Sequence, residues 1–140
     1  MIDLANRHLA LIGFMGAGKT TVGRELSQQL ARPFVDVDDA IEQAEGVSIA
    51  ELFAKDGEPA FRDREERAVS ELLGAREPSV IALGGGAPMR DHVRERLRER
   101  ARIVHLDESV EVCWKRAHSS ARPLAQDETD FRTLFAARLT

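Results

Sequence analysis

Near the start of the chain the run Gly13-Phe14-Met15-Gly16-Ala17-Gly18-Lys19-Thr20 satisfies G-x-x-x-x-G-K-[ST] at every fixed position. Few short patterns constrain a fold as much, because this one works only between a buried strand and a helix. The flanks supply both. Leu9 to Ile12 is an apolar run suited to a covered strand, and Val22, Leu26 and Leu30 recur on one helical face. The residue types suit a polyphosphate. Glycines let the main chain wrap closely, so that several N–H groups converge on phosphate oxygens, and the helix beginning near Lys19 adds its positive dipole end. Lys19 reaches the outer phosphates and Thr20 offers a hydroxyl to a magnesium ion that bridges them. The bland alternative is a glycine-rich strand-to-helix turn with a surface lysine. Gly23 reads as a site of close helix packing.

The rest of the chain alternates short apolar runs with helical periodicity, the signature of a parallel α/β sheet. Strands are expected at Phe34–Asp38, Ser79–Leu83 and Ile103–Leu106. Helices are expected at Ala40–Glu45, from Ser48 to near Gly57, from Pro59 to Gly74, at Met89–Arg100, at Val110 to about Ala117 and at Phe131–Leu139. The polar stretch from His118 to Asp130 reads as a loop. At 140 residues this is one domain, residues 1–140. A formal net charge of −4 argues against a nucleic-acid partner. No apolar run approaches the ~20 residues of a membrane helix. A single cysteine, Cys113, rules out an internal disulfide, reads as a small buried hydrophobe and fits the reducing cytoplasm.

Five further features bear on chemistry. Asp36 and Asp38, two apart on an expected strand, put both carboxylates on one side. At the carboxyl end of a parallel strand they face the crevice where such sheets bind ligands, if this strand lies beside the first. One acid can serve a magnesium ion, the other a substrate hydroxyl or its proton, and Asp39 reads as a helix cap. Gly84-Gly85-Gly86 at a strand end implies either an awkward turn or a ligand pressed against backbone. Arg122, in the polar loop, is placed to close over a transferring phosphoryl group. Arg62 reads as a surface partner of Glu65 or Glu66. Arg138 continues the apolar face of Phe131, Leu134 and Phe135, and either snorkels or offers two donors to a carboxylate.

Taken together, the segments GFMGAGKTTVGREL, FVDVDDAIE, SIAELFAKDGEPAFRDRE, IALGGGA, ARPL and FRTLFAARLT resemble the shikimate kinase family in order and spacing from Leu9 to Thr140. The resemblance implies a three-layer α/β/α fold on a parallel sheet of order 2-3-1-4-5. It implies transfer of the γ-phosphoryl group of ATP to the 3-hydroxyl of shikimate, on the route to aromatic amino acids. By position, Gly16, Ala17, Gly18, Lys19, Thr20 and Thr21 would hold phosphates, with Thr20 and Asp36 near magnesium. Asp38, Arg62, Gly84, Gly85, Gly86 and Arg138 would receive shikimate. Lys19, Asp38 and Arg122 would carry catalysis, and Arg116 is a candidate adenine contact. The implied partners are ATP and shikimate, with the protein a monomer or one domain of a fused pathway enzyme. Two departures stand out. The fifth strand and last helix of the family are not expected within this sequence, and the segment before Arg122 reads as about one residue short. The competing expectations are an incomplete, non-catalytic module and a kinase for another carboxylate-bearing molecule.

Overall fold

Burial along the first strand decides how the layers assemble. In β1 (His8–Ile12), Leu9 and Leu11 pack with Val80, Val22 and Leu26, while Ala10 and Ile12 join a second core on the opposite face. A strand covered on both sides belongs at the centre of a parallel sheet with helices above and below. The computed structural model of the chain describes residues 7–14, 17–84, 87, 90–117 and 127–138. Within these, β1 is joined by β2 (Phe34–Asp36), β3 (Val80–Ala82) and β4 (Ala101–His105). The sheet is wholly parallel, in the order β2-β3-β1-β4, the order implied for the first four strands.

The helices are α1 (Lys19–Leu30), α2 (Val37–Glu45), α3 (Ile49–Gly74), α4 (Asp91–Arg100), α5 (Val110–Ala117) and α6 (Glu128–Arg138). α1 covers one face. Its Gly23 is there for proximity, since a Cβ at that position would meet the Phe34 ring at 2.3 Å. α2, α3 and α4 cover the other face through Ile41, Phe61, Leu73 and Leu97. Leu11, Leu73, Ile81 and Leu83 are essentially sealed from water, and burying each such side chain contributes roughly 1.5–3 kcal/mol. A third, smaller core lies beside the glycine loop. Phe14, Cys113 and Phe131 are buried there with Ala17, Val110 and Trp114 packed against them, and the Phe14 and Trp114 rings meet Phe131 edge-on at 4.9 and 5.2 Å. Among the described residues no helix is long and apolar enough to cross a membrane.

Several expected boundaries move, each for a local reason. The second strand stops at Asp36 rather than Asp38, because Asp36 Oδ1 accepts the N–H groups of Asp38 and Asp39 at 2.9 and 3.4 Å. Asp36 is therefore the N-cap of α2, a role expected of Asp39, and Asp38 lies in a helical first turn instead of on a strand. Nor is the second strand a neighbour of the first, since β3 runs between them. The two helices expected on either side of Gly57 are joined into α3, bent where Gly57 takes φ 83° and ψ 172°. That left-handed conformation suits glycine, and Pro59 follows in the turn where a missing N–H costs least. The final helix begins at Glu128, earlier than expected, because Asp127 Oδ1 accepts from Asp130 N at 2.9 Å. The loop expected over 118–130 therefore ends by Asp127, and 118–126 lie outside the described residues.

Candidate active site

All four strands point the same way, so their carboxyl ends form one rim, where β1 gives way to the glycine loop. Gly18 takes φ 97° as N-cap of α1, a conformation strained for any residue with a Cβ. Lys19 Nζ donates to the carbonyl oxygens of Gly13 and Phe14 at 2.5 and 3.3 Å, which holds the ammonium over the start of the loop. Ala17 N donates to Phe14 O at 3.1 Å, closing a tight turn. Thr21 is exposed on α1. On the far flank, a Cβ at Gly18 would lie 3.5 Å from Arg116 Nη1, so α5 brings a guanidinium against the loop.

From the loop a line of contacts runs across the rim. Thr20 Oγ1 donates to Asp36 Oδ2 at 3.3 Å. β2 is not beside β1, yet the close seat of α1 at Gly23 carries its first turn over β3 to reach Asp36. The other oxygen of Asp36 accepts from Asp38 N. Asp38 Oδ1 then lies 3.5 Å from the Cβ position of Gly84, and Glu65 Oε2 lies only 2.8 Å from it. A side chain at Gly84 would crowd the end of the Glu65 carboxylate, which would have to shift. Glu65 Oε1 accepts from Arg62 Nη1 at 2.9 Å. The Arg62 and Glu65 side chains are 12% and 2% exposed, so the surface role expected of Arg62 is corrected. A second acid, Glu58, reaches Arg62 at 3.3 Å from the solvent side.

Glu65 is the residue that sequence reasoning undervalued. Its spacing from Arg62 pointed to an ion pair, but the spacing is the same on an exposed helix face, and only its closeness to Gly84 reveals the burial. Gly16, Gly85, Gly86 and Arg122 lie outside the described residues, and Arg138 is the last residue of α6. Among the described residues no group of three or more His, Cys, Asp or Glu side chains could hold a metal ion. A hydroxyl and a carboxylate do meet at Thr20 and Asp36, the hard oxygen donors that magnesium takes when phosphates supply other ligands. Burial, then the neighbouring Asp36 and Glu42, push the Asp39 carboxyl above its usual range, so negative charge is concentrated at this end of α2.

A family model described as shikimate kinase matches residues 15–139. The chain belongs to the shikimate kinase family. A shikimate kinase of Nitrobacter winogradskyi is 49% identical over 124 residues, covering 88% of this chain and 58% of that protein. One of Rhodopseudomonas palustris is 47% identical over 122 residues, covering 86% of this chain and 60% of its own length. The chain thus spans about three fifths of the length of these curated relatives. Among solved structures, the shikimate kinase from Acinetobacter baumannii in complex with shikimate superposes with a TM-score of 0.90 at 40% identity, covering 95% of this chain and 76% of that one. The parallel four-strand sheet flanked by helices is therefore that of the shikimate kinase fold.

Proposed function

We propose that this chain transfers the γ-phosphoryl group of ATP to the 3-hydroxyl of shikimate, giving shikimate 3-phosphate for chorismate and aromatic amino-acid synthesis. The observation that carries the reading is the unbroken line from a phosphate loop to a buried cation: Thr20, Asp36, Asp38, Gly84, Glu65, Arg62. One end suits a nucleotide and the other an anionic, hydroxyl-bearing acceptor. Membership of the family and the likeness to the Acinetobacter baumannii enzyme with shikimate bound support the same assignment.

In this reading Gly16, Ala17, Gly18, Lys19, Thr20 and Thr21 bind the phosphates, with Arg116 beside them on the nucleotide side. Thr20 and Asp36 would hold magnesium, which when bound would supply charge neutralisation for phosphoryl transfer. Asp38 accepts the proton of the attacking hydroxyl and orients it. Arg62 and Arg138 hold the acceptor's carboxylate, and Gly84, Gly85 and Gly86 let the acceptor approach backbone. Arg122 neutralises charge on the phosphoryl group in flight and excludes water. Glu65 fixes Arg62, since a buried guanidinium needs a counter-charge to stay in place. The lone buried thiol supports a cytoplasmic setting.

The test is ADP release from ATP and magnesium with and without acceptor. ADP release is expected to depend on shikimate. Equal stimulation by gluconate or nucleoside monophosphates, with none from shikimate, overturns the proposal.

A further inference from the structure

The glycine loop leaves the sheet at one definite point. Leu106 N donates to Ile12 O at 2.8 Å, and the next residue, Gly13, takes φ 156°. A Cβ at Gly13 would fall 2.8 Å from Leu106 O, so the chain turns out of β1 hard against the exit of β4. The other end of the loop is held where α1 seats on the sheet at Gly23. Between these anchors, Phe14 and Ala17 rest on the small aromatic core. The Phe14 ring is buried and meets Phe131 of α6 edge-on at 4.9 Å.

The main chain of Phe14 matters as much as its ring. Its carbonyl oxygen accepts twice, from Ala17 N at 3.1 Å and from Lys19 Nζ at 3.3 Å. The first bond closes the turn, and the second helps to hold the ammonium over it. Ring and carbonyl belong to one residue, so the seat of the ring bears on where that oxygen stands. Phe131 is sealed from water and packed among Phe14, Cys113 and Trp114. A close-packed interior transmits a displacement to its neighbours. Shrinking Phe131 therefore lets the Phe14 ring settle into the space, and the carbonyl that receives Ala17 and Lys19 shifts with it. The buried core under α3, which carries Arg62 and Glu65, shares no residue with this one. The disturbance from Phe14 falls on the nucleotide side.

We infer that Phe131 is a positioning residue for the nucleotide site: its ring seats Phe14, and through the Phe14 carbonyl it fixes the tight turn and the ammonium of Lys19. This rests on the nucleotide assignment made above. The leverage is geometric, because a small misplacement of binding groups weakens capture of the ligand out of proportion to its effect on the fold.

Calorimetric titration of magnesium-complexed ADP, which binds without turning over, tests this on Phe131→Leu, Phe14→Leu and the double variant. α6 also carries Arg138, assigned above to the acceptor, so no acceptor is present. Each single variant is expected to weaken the Kd by about fivefold. The double variant is expected to lose no more than the weaker of the two, as for groups acting through one contact. Phe14→Leu approaches that contact from the loop side, so the reading does not hang on one variant folding. In steady-state kinetics its KM for shikimate is expected to change less than about twofold. Val93→Ala, in the core under α4 on the other face of the sheet, is the control for general loosening and is expected to keep the parental Kd. An unchanged Kd in either single variant, additive losses in the double variant, or an equal loss in Val93→Ala overturns the inference. No heat from the unsubstituted protein defeats the nucleotide assignment and this inference with it, whereas normal binding there with flat values in the variants defeats this inference alone.

Discussion

Arg62 Nη1 lies 2.9 Å from Glu65 Oε1, with the carboxylate side chain 2% exposed. A charge so deeply withdrawn from water is tolerable only with its partner, and removing one member of such a pair costs about 3–5 kcal/mol. Glu65→Ala is therefore expected to lower unfolding free energy in urea titrations, by less than that amount because Glu58 still faces Arg62. Glu65→Gln keeps an acceptor oxygen and is expected to cost less, while still raising KM for shikimate. A Glu65→Ala protein as stable as the parent contradicts the pairing.

Asp36 performs two tasks with separate oxygens. Oδ1 caps α2 and Oδ2 meets Thr20. Asp36→Asn keeps a cap acceptor but loses the negative charge, so its melting temperature is expected to stay close to the parent value while the magnesium concentration for half-maximal activity rises about tenfold. Asp36→Ala adds loss of the cap, worth about 1 kcal/mol. Equal magnesium dependence for parent and Asp36→Asn rules out the metal assignment.

A side chain at Gly84 would crowd the Glu65 carboxylate. A methyl group there falls 2.8 Å from Glu65 Oε2, so Gly84→Ala is expected to push the carboxylate away from Arg62. The expected readout is a rise of about tenfold or more in shikimate KM, since overpacking shifts neighbours instead of leaving them in place. KM for ATP serves as the internal control.

Two small-residue changes in or next to α1 are expected to move stability in opposite directions. Ala31, its C-cap, is held at φ 53°, a left-handed conformation that favours glycine. Ala31→Gly is expected to raise stability by about 0.5–1 kcal/mol. Gly23→Ala puts a methyl group 2.3 Å from Phe34 and is expected to cost about 1–3 kcal/mol. Thermal melts of the pair check both signs.

Burial pushes the Cys113 thiol above its ordinary 9.0, with Glu108 adding to the effect. In the unfolded chain the thiol ionises near its ordinary value, while in the folded chain it stays protonated to higher pH. Its contribution to stability is therefore complete below the unfolded pKa and is lost as pH rises from there through the folded one. Cys113→Ala is expected to flatten that alkaline fall in denaturation curves, and the folded thiol is expected to react slowly with thiol reagents until denaturant is added.

The strand, glycine turn and helix of the first unit, the parallel sheet and the close packing at Gly23 were legible because each rests on local chemistry. A loop that must wrap tightly needs glycine, and a strand buried on both faces reads as an apolar run. The Asp36–Asp38 segment was less legible. An alternating run ending in acids looks like a strand until Asp36 turns back to cap, and capping depends on where the chain leaves the sheet. Glu65 lay furthest out of reach. It matters through Gly84, a partner distant in sequence, and no periodicity encodes that encounter.

The small aromatic core beside the glycine loop has a spectroscopic consequence. Trp114 is the one tryptophan of the chain, and it sits in that core rather than in either layer flanking the sheet. Its emission will therefore follow the seam between α5, α6 and the loop at Phe14. A fluorescence transition that precedes the circular-dichroism transition would mark that seam loosening while the sheet still holds.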